Sequence, residues 1–379
     1  MESCLFHLSW ALLVYTYAGY PLLLALLAAL AKKTVRREAI FPSVTVVVPV
    51  HNEEKLMGAK IDNCLAFDYP QEKLKIVVAS DRSTDRTEEI VESRDSRRVR
   101  LVRLPRREGK VAAQNRAVEA VDTDIVIFTD VAIRTDRDCV RLIVENFGDE
   151  KIGAVSCRDQ IVQGDTGIQG ESRYIGYDMM VRKFSSQMGS IAGVTGGFYA
   201  VRREIAEGGW DPAFPPDFYV ALKCFRKGYR VVEDRRVLAY YKTAARDGDE
   251  FRRKVRTINR GMHALFAHKD LMNPFRYGLT AVQLISHKLL RWMTPLFLAA
   301  LLLSSLLAWR GSLPILLALV GQCTVYALGL AGWLGGERLK AWSALKLPFF
   351  FCMANLALLK AWWEFFRGKK YLVWEPTKR

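Results

Sequence analysis

Residues 74–81 read Leu74-Lys75-Ile76-Val77-Val78-Ala79-Ser80-Asp81, a mostly apolar run closed by an aspartate. Residues 44–50 (Val44-Thr45-Val46-Val47-Val48-Pro49-Val50) and 125–130 (Ile125-Val126-Ile127-Phe128-Thr129-Asp130) have a similar form. Continuous β-branched runs of this length are expected of strands covered on both faces. Between them the pattern predicts helices at about 53–66, 84–93 and 110–121, with Ser83 and Thr84 offered as caps of the second, and a strand at 99–104. Strands alternating with helices of this length predict a parallel sheet with right-handed crossovers. Such sheets bind ligands beyond the carboxyl ends of their strands, where Asn52, Asp81 and Asp130 all fall.

After residue 150 the alternation changes. A strand is expected at 152–157, a long helix at 171–188 and a Gly-rich extended piece at 193–202. Asp217 precedes a helix ending at Gly228, followed by a strand at 229–241 and a basic helix at 248–266.

The chain has 379 residues, enough for one large domain or two small ones. Its formal net charge is +16, but the basic residues gather beside apolar segments and along 226–260, with little aromatic interleaving. That distribution fits anionic lipid headgroups and a phosphorylated substrate rather than nucleic acid. The seven cysteines form no C-x-x-C pair, which argues against a structural zinc or a disulfide framework and fits a reduced cytosolic domain.

Leu5 to Ala31 contains no Asp, Glu, Lys or Arg and is long enough to cross a hydrocarbon core of roughly 30 Å. It is too long, and lacks the basic start, for a signal peptide. Lys32, Lys33, Arg36 and Arg37 follow at once, so the positive-inside rule places the amino terminus outside and the middle of the chain in the cytoplasm, at the cell (inner) membrane. Residues 271–293, with His287, Lys288, Arg291 and Trp292, read as an interfacial amphipathic helix. A transmembrane region follows at 294–366, with spans at 294–309 and 313–334 and a third apolar stretch at 343–366. Were all three to cross, the basic tail 367–379 would lie outside against the charge rule, so one of them is expected to be interfacial or re-entrant. The resulting division is 1–37 (membrane helix and basic flank), 38–270 (cytosolic domain), 271–293, 294–366 and 367–379.

Five short motifs, in order, resemble family 2 inverting glycosyltransferases. They are Val44 to Glu53, Ser80-Asp81-Arg82-Ser83-Thr84-Asp85, Lys110-x-x-Ala-x-Asn115, Phe128-Thr129-Asp130, and Asp217 with Gly228-Tyr229-Arg230. The flanking helices are similar to the membrane-embedded cellulose, chitin and hyaluronan synthase branch. The resemblance implies an α/β fold of GT-A type: a nucleotide-sugar-binding domain with a mixed, mainly parallel sheet, flanked by transmembrane and interfacial helices. It implies a nucleotide-sugar donor, a UDP-sugar by preference, and a divalent metal, Mg²⁺ or Mn²⁺, at the diphosphate.

Asp217 is the expected general base, taking the proton of the acceptor hydroxyl as it attacks the anomeric carbon opposite the leaving diphosphate. Asp130 supplies a hard oxygen ligand to the metal, and Asp81 accepts hydrogen bonds from base or ribose. Pro49, His51 and Glu53 line the base side. Lys110 reaches a phosphate, or is a plain surface lysine; Asp85 supports Asp81, or caps a helix. Arg253, Arg256 and Arg260 recur on one helix face, either to receive diphosphate (Arg256 first, with Arg253 and Arg260 towards the acceptor) or to meet the membrane surface. Trp374 resembles the gating segment of these synthases; an interfacial anchor is the other reading.

Two positions depart from the family pattern. Ala132 stands where a second carboxylate or an asparagine usually follows Asp130, and Thr257 stands where a stacking tryptophan follows the arginine aligned with Arg256. Arg82, where the family often has Gly or Asp, is a smaller departure. The expected activity is transfer of a sugar to a polysaccharide or lipid-linked acceptor in contact with membrane lipids, with a homo-oligomer or a secretion partner for any polymer. A non-catalytic nucleotide-sugar-binding subunit is the alternative.

Overall fold

The computed structural model describes residues 2–94, 97–161, 169–241, 247–335 and 343–371. Among these residues eight strands form one sheet: β1 (Val44–Val50), β2 (Leu74–Ser80), β3 (Val99–Arg103), β4 (Ile125–Thr129), β5 (Arg134–Thr135), β6 (Ile152–Ile161), β7 (Phe198–Arg202) and β8 (Arg230–Tyr241), in the order β3-β2-β1-β4-β7-β6-β8-β5. β3, β2, β1 and β4 run parallel, β7 is antiparallel to both β4 and β6, and β6 and β8 are parallel. The sheet is therefore mixed and mainly parallel, as expected. The chain leaves β1 towards β2 and β3 and returns on the other side at β4. That reversal opens a crevice at the carboxyl ends of β1 and β4.

Every residue of β1 is buried, because helices cover both faces of the sheet. Val46, Val48 and Val50 point to the face packed by Met57, Ile61 and Cys64 of the Glu54–Leu65 helix. Val47 points to the other face, with Phe128 and with Val111, Ala113 and Ala117 of the Lys110–Val118 helix. At about 1.5–3 kcal/mol for each large apolar side chain removed from water, these alternating rows dominate the stability of the domain. Pro49 is tolerated in a central strand for a local reason. Val50 turns its carbonyl to Asp81 on the β2 side, so the missing N–H of Pro49 faces β4, where the ladder has already ended at Val47–Phe128.

The helix expected at 84–93 begins at Thr87, and Ser83 and Thr84 do not cap it. They bridge instead to the end of β1: Asn52 N–H donates to Ser83 Oγ (3.1 Å) and Thr84 N–H donates to Asn52 Oδ1 (2.7 Å). The two loops need tying because Asn52 and Arg82 both lie at φ 54°, a left-handed conformation that costs a non-glycine residue on the order of 1 kcal/mol. This accounts for the Gly or Asp usual at position 82; Arg82 is held there by a hydrogen bond to the Pro105 carbonyl (2.8 Å).

Among the described residues four helices are long and apolar enough to cross a membrane: Glu2–Leu30, Leu279–Ala308, Leu313–Leu334 and Leu345–Phe366. Residues 279–293, expected as part of a separate interfacial helix, continue without a break into 294–308. Two of the four contain a π-helical turn, Tyr15–Gly19 and Leu284–Leu289, and the turns face each other through a Tyr15–Ser286 hydroxyl contact of 2.8 Å. The last helix lies along the Asp247–Ala267 helix, packing Ala357, Ala361 and Trp362 on Val255 and Met262. Just beyond it, the Lys369 carbonyl meets His263 Nε2 at 3.1 Å.

Candidate functional site

Asp81 is buried, and both its oxygens accept backbone N–H groups, from Glu108 (2.7 Å) and Gly109 (2.8 Å). Gly109 sits at φ 93°, which aims its N–H at the carboxylate and starts the Lys110 helix. Asp81 thus fixes the turn that presents Lys110, and each oxygen keeps a further acceptor site. His51 Nδ1 meets the Asp81 carbonyl at 2.8 Å, so the end of β1 and the aspartate share one wall. Asp85 resolves to its capping role, accepting from Glu54 N–H (3.1 Å) and Thr87 N–H (3.0 Å).

Lys110 Nζ forms an ion pair with Asp130, so the lysine is no plain surface residue. Asp130 follows β4 and keeps about 30% of its side chain exposed at the crevice. Glu53 approaches from the end of β1. Burial, and then the charges of Asp85 and Asp130, raise its carboxyl above the ordinary value. Below them lies Lys60, which sequence reasoning missed. It is 3% exposed and donates to Thr129 Oγ1 and the Ile133 carbonyl, both at 2.8 Å. Burial pulls its ammonium below the usual lysine range, while the Asp130 charge works the other way. The signal was present: Met57, Lys60, Ile61 and Cys64 occupy i, i+3, i+4 and i+7 of one helix stripe.

Asp217 lies in the first turn of the Pro216–Arg226 helix, entered through Pro215 and Pro216, whose fixed φ suits a helix start. A loop of small residues, Gly193 to Gly197, joins it to Asp130. Val194 N–H donates to the Asp217 carbonyl (2.8 Å), and Asp130 N–H donates to the Gly197 carbonyl (3.1 Å). The loop passes beside the carboxylate at Gly196, where a Cβ would stand in ordinary contact, 3.8 Å from Asp217 Oδ2. The two aspartates act on one buried neighbour, Tyr199, whose hydroxyl is raised well above its usual value by burial, then by Asp217 and Asp130.

The approach to Asp217 is clamped from two sides. Asn115 donates to the Trp210 carbonyl (2.8 Å) and accepts from Trp210 N–H (2.7 Å). Arg260, expected towards the acceptor, is 8% exposed and donates to the carbonyls of Pro212 (3.0 Å) and Phe214 (2.5 Å). It therefore holds the loop before Asp217 rather than offering a free cation. Arg256 lies one turn before Arg260 and Arg253 one turn further back, both partly exposed. Trp374 lies outside the described residues.

Next to Asp217 is a cleft of about 260 Å³. Its walls include Gly193, Gly196, Asp178, Arg182 and Lys288, the last brought in by the π turn of the Leu279–Ala308 helix. Lys288 was read from the sequence only as part of an interfacial helix.

A metal would find one carboxylate at the crevice floor, since Ala132 adds none. Among the described residues no group of three or more His, Cys, Asp or Glu could hold an ion. Asp130 is already paired with Lys110, so the donor set suits a cation that arrives on a nucleotide diphosphate, not a resident one.

A mixed, mainly parallel sheet with carboxylates at this crevice defines the nucleotide-sugar transferases of GT-A fold. Residues 45–210 match the model of Glycosyl transferase family 2. The N-acetylglucosaminyltransferase of Rhizobium leguminosarum bv. trifolii is 30% identical over 131 residues, 33% of this chain and 70% of that protein. The chain belongs to glycosyl transferase family 2. The probable glycosyltransferase YdaM of Bacillus subtilis (strain 168) is 28% identical over 204 residues, 50% of this chain and 48% of that protein. The beta-monoglucosyldiacylglycerol synthase of Synechocystis sp. (strain ATCC 27184 / PCC 6803 / Kazusa) is 26% identical over 181 residues, 45% of this chain and 37% of that protein. The chain thus spans about half or less of the length of these last two relatives. Among solved structures, the mannosyltransferase PcManGT from Pyrobaculum calidifontis, in complex with GDP-Man and Mn²⁺, superposes with TM-score 0.70 at 25% identity, covering 96% of this chain and 99% of that one.

Proposed function

We propose that this protein is a membrane-bound inverting glycosyltransferase that moves a sugar from a nucleotide-sugar, a UDP-sugar by preference, to a lipid-linked or polysaccharide acceptor. The observation that carries the reading is the pairing of Asp130 and Asp217 across the Gly193–Gly197 loop. One carboxylate lies at the diphosphate side of the crevice, and the other lies where an acceptor hydroxyl can approach the opposite face of the donor sugar. Asp217 takes the hydroxyl proton, and the oxygen bonds to the anomeric carbon. The bond from that carbon to the diphosphate breaks, and the nucleoside diphosphate leaves with its electron pair. Lys110 offers a cation to the departing phosphates. A divalent cation held between Asp130 and the diphosphate would supply charge neutralisation there.

The neighbour bound to GDP-Man and Mn²⁺ and the relatives named beta-monoglucosyldiacylglycerol synthase support a metal-assisted donor site and a lipid acceptor. Membrane placement follows from contacts and charge. Lys369 beside His263 puts the end of the last helix on the domain's side, so we read three crossings: Glu2–Leu30 and the hairpin Leu279–Ala308/Leu313–Leu334. The last helix then lies along the interface, with the domain and the basic tail in the cytoplasm.

The decisive experiment measures nucleoside diphosphate release from a panel of UDP- and GDP-sugars with Mn²⁺. Asp217→Asn is expected to lose release by roughly 10²–10⁴-fold, the range supplied by a general base, while keeping nucleotide affinity within a few-fold. Unchanged release by Asp217→Asn, or none from any donor with the wild type, refutes the catalytic reading. In Asp130→Ala, nucleotide affinity is expected to lose its dependence on Mn²⁺; titration of affinity against metal concentration checks this.

A further inference from the structure

One polar side chain interrupts the apolar stripe that the Glu54–Leu65 helix lays on the sheet. Met57, Ile61 and Cys64 fill their share of the core, and the buried Lys60 stands among them. Burying a lysine head costs its hydration, whereas a methionine or leucine would fill the same place without that loss. Packing therefore gives no reason for a lysine, and the reason lies in what its head holds. The ammonium donates to Thr129 Oγ1 and to the Ile133 carbonyl, each at 2.8 Å.

Those two acceptors are the ends of one short turn. Thr129 is the last residue of β4, and Ile133 closes the turn with its N–H on the Asp130 carbonyl (3.2 Å). Lys60 spans the turn from inside the core. Asn63, on the same helix, fixes the exit: it donates to the Thr135 carbonyl (2.9 Å) and accepts from Thr135 N–H (3.3 Å). Between Thr129 and Ile133 the chain reads Asp130, Val131, Ala132, so the aspartate is the turn's one polar side chain. A cation can grip this turn at a single point, and the aim of that carboxylate depends on a backbone held from elsewhere. The turn also fits closely against the loop beside Asp217. The Gly197 carbonyl accepts from Asp130 N–H (3.1 Å), and a Cβ on Gly197 would stand 3.0 Å from Ile133 Cδ1.

We propose that Lys60 is a positioning residue of the donor site, stapling the Asp130 turn so that its carboxylate is already aimed when nucleotide diphosphate and metal arrive together. Being buried, it acts through Asp130 and the backbone on either side. The inference rests on the metal-assisted donor site proposed above and names the internal side chain on which the hold on the metal depends. Partners that orient a metal ligand from behind are worth roughly 10–100-fold in metal affinity.

The test uses the full chain in detergent and needs no turnover. Calorimetric titration of UDP and of GDP at a series of Mn²⁺ concentrations gives a metal midpoint, where the gain in nucleotide affinity is half complete. Lys60→Met is expected to raise that midpoint about 10- to 100-fold, while nucleotide affinity without metal stays within about threefold. Thr129→Val removes one acceptor and keeps the shape of a strand residue. It is expected to move the midpoint the same way by about threefold or more, and it decides the matter where Lys60→Met does not fold. Ile61→Ala, the next residue of the same helix, loosens the core by a cavity without touching the turn and is expected to leave the midpoint unchanged. An unchanged midpoint in Lys60→Met or in Thr129→Val overturns the proposal. So does an equal rise in Ile61→Ala, which would make the effect one of general loosening. A wild type whose affinity for both nucleotides ignores Mn²⁺ removes the metal-assisted reading and this inference with it. A wild type that responds to Mn²⁺ and shows the expected shifts, yet releases no nucleotide from any donor, loses the catalytic reading alone and leaves this one standing.

Discussion

Asp178 shows what one side chain can decide. Burial favours its neutral form, yet His287 where protonated, and the standing charge of Arg291 beside it, hold the carboxyl well below the usual carboxylate range. A depressed folded value means stability that is present above the ordinary carboxyl value of 3.8 and lost as pH falls through the folded one. Asp178→Asn is therefore expected to lower stability at neutral pH by about 2 kcal/mol. That is less than the ~3–5 kcal/mol of a fully buried broken pair, because 29% of the Asp178 side chain remains accessible. Thermal unfolding of both proteins in detergent should show a gap that is constant above pH 4 and closes only in stronger acid. Legibility at this scale was uneven. Asp130 and Asp217 could be found because they end a strand and open a helix, places visible in hydropathy alone. Lys60 was legible only as a member of an apolar helix stripe, and Lys288 was not legible at all, because a lysine in a helix reads as solvated until the neighbours that bury it are known.

Among the elements, the segment from Trp210 to Asp217 matters most. It has no regular structure until Pro216, and its order comes from Asn115 on one side and Arg260 on the other. Burial draws the Arg260 guanidinium down to about 10, still charged at neutral pH, and its two bonds go to carbonyls that no other described group satisfies. Arg260→Met leaves those carbonyls without their donor, at about 1–3 kcal/mol each. With Asp217 less firmly placed, kcat is expected to fall on the order of 10- to 100-fold, with a smaller change in donor KM. Steady-state kinetics checks this, and a fall in donor affinity of the same size would contradict it. The four parallel strands β1 to β4 were legible almost to the residue, since long β-branched runs leave little choice, whereas β6 runs four residues past its expected end, β7 begins five residues into the extended piece and β5 was not expected. The clamps were not, because Asn115 and Trp210 are 95 positions apart and meet only through the antiparallel insertion of β7 beside β4.

At the scale of the molecule, four apolar helices among the described residues accompany the domain, in a chain of formal net charge +16. With three crossings, the turn at Trp309 to Ser312 lies outside and Gly368 inside. In a Cys4→Ser background, a membrane-impermeant maleimide applied to intact cells is expected to label Ser312→Cys and to spare Gly368→Cys; labelling of the latter would show a fourth crossing. Composition made the spans visible. It could not show that the last helix rests along Asp247–Ala267, because apolar length is the same for a helix within a bilayer and one lying against a domain.

The paired π turns act on the molecule as a change of reading frame. Each takes up one residue more than an α-helix would, and one residue turns a helix by roughly 100°. Downstream of Leu284–Leu289, Arg291 and Trp292 face Asp178 and Phe218 because of that extra residue. Remove it and the same letters in the same order would face lipid. Composition and hydropathy would hardly change, yet the wall between the cleft and the membrane would lose its cations. A single-residue deletion there is therefore closer in effect to a frameshift than to a point mutation, and segments exchanged with relatives must carry the turn with them.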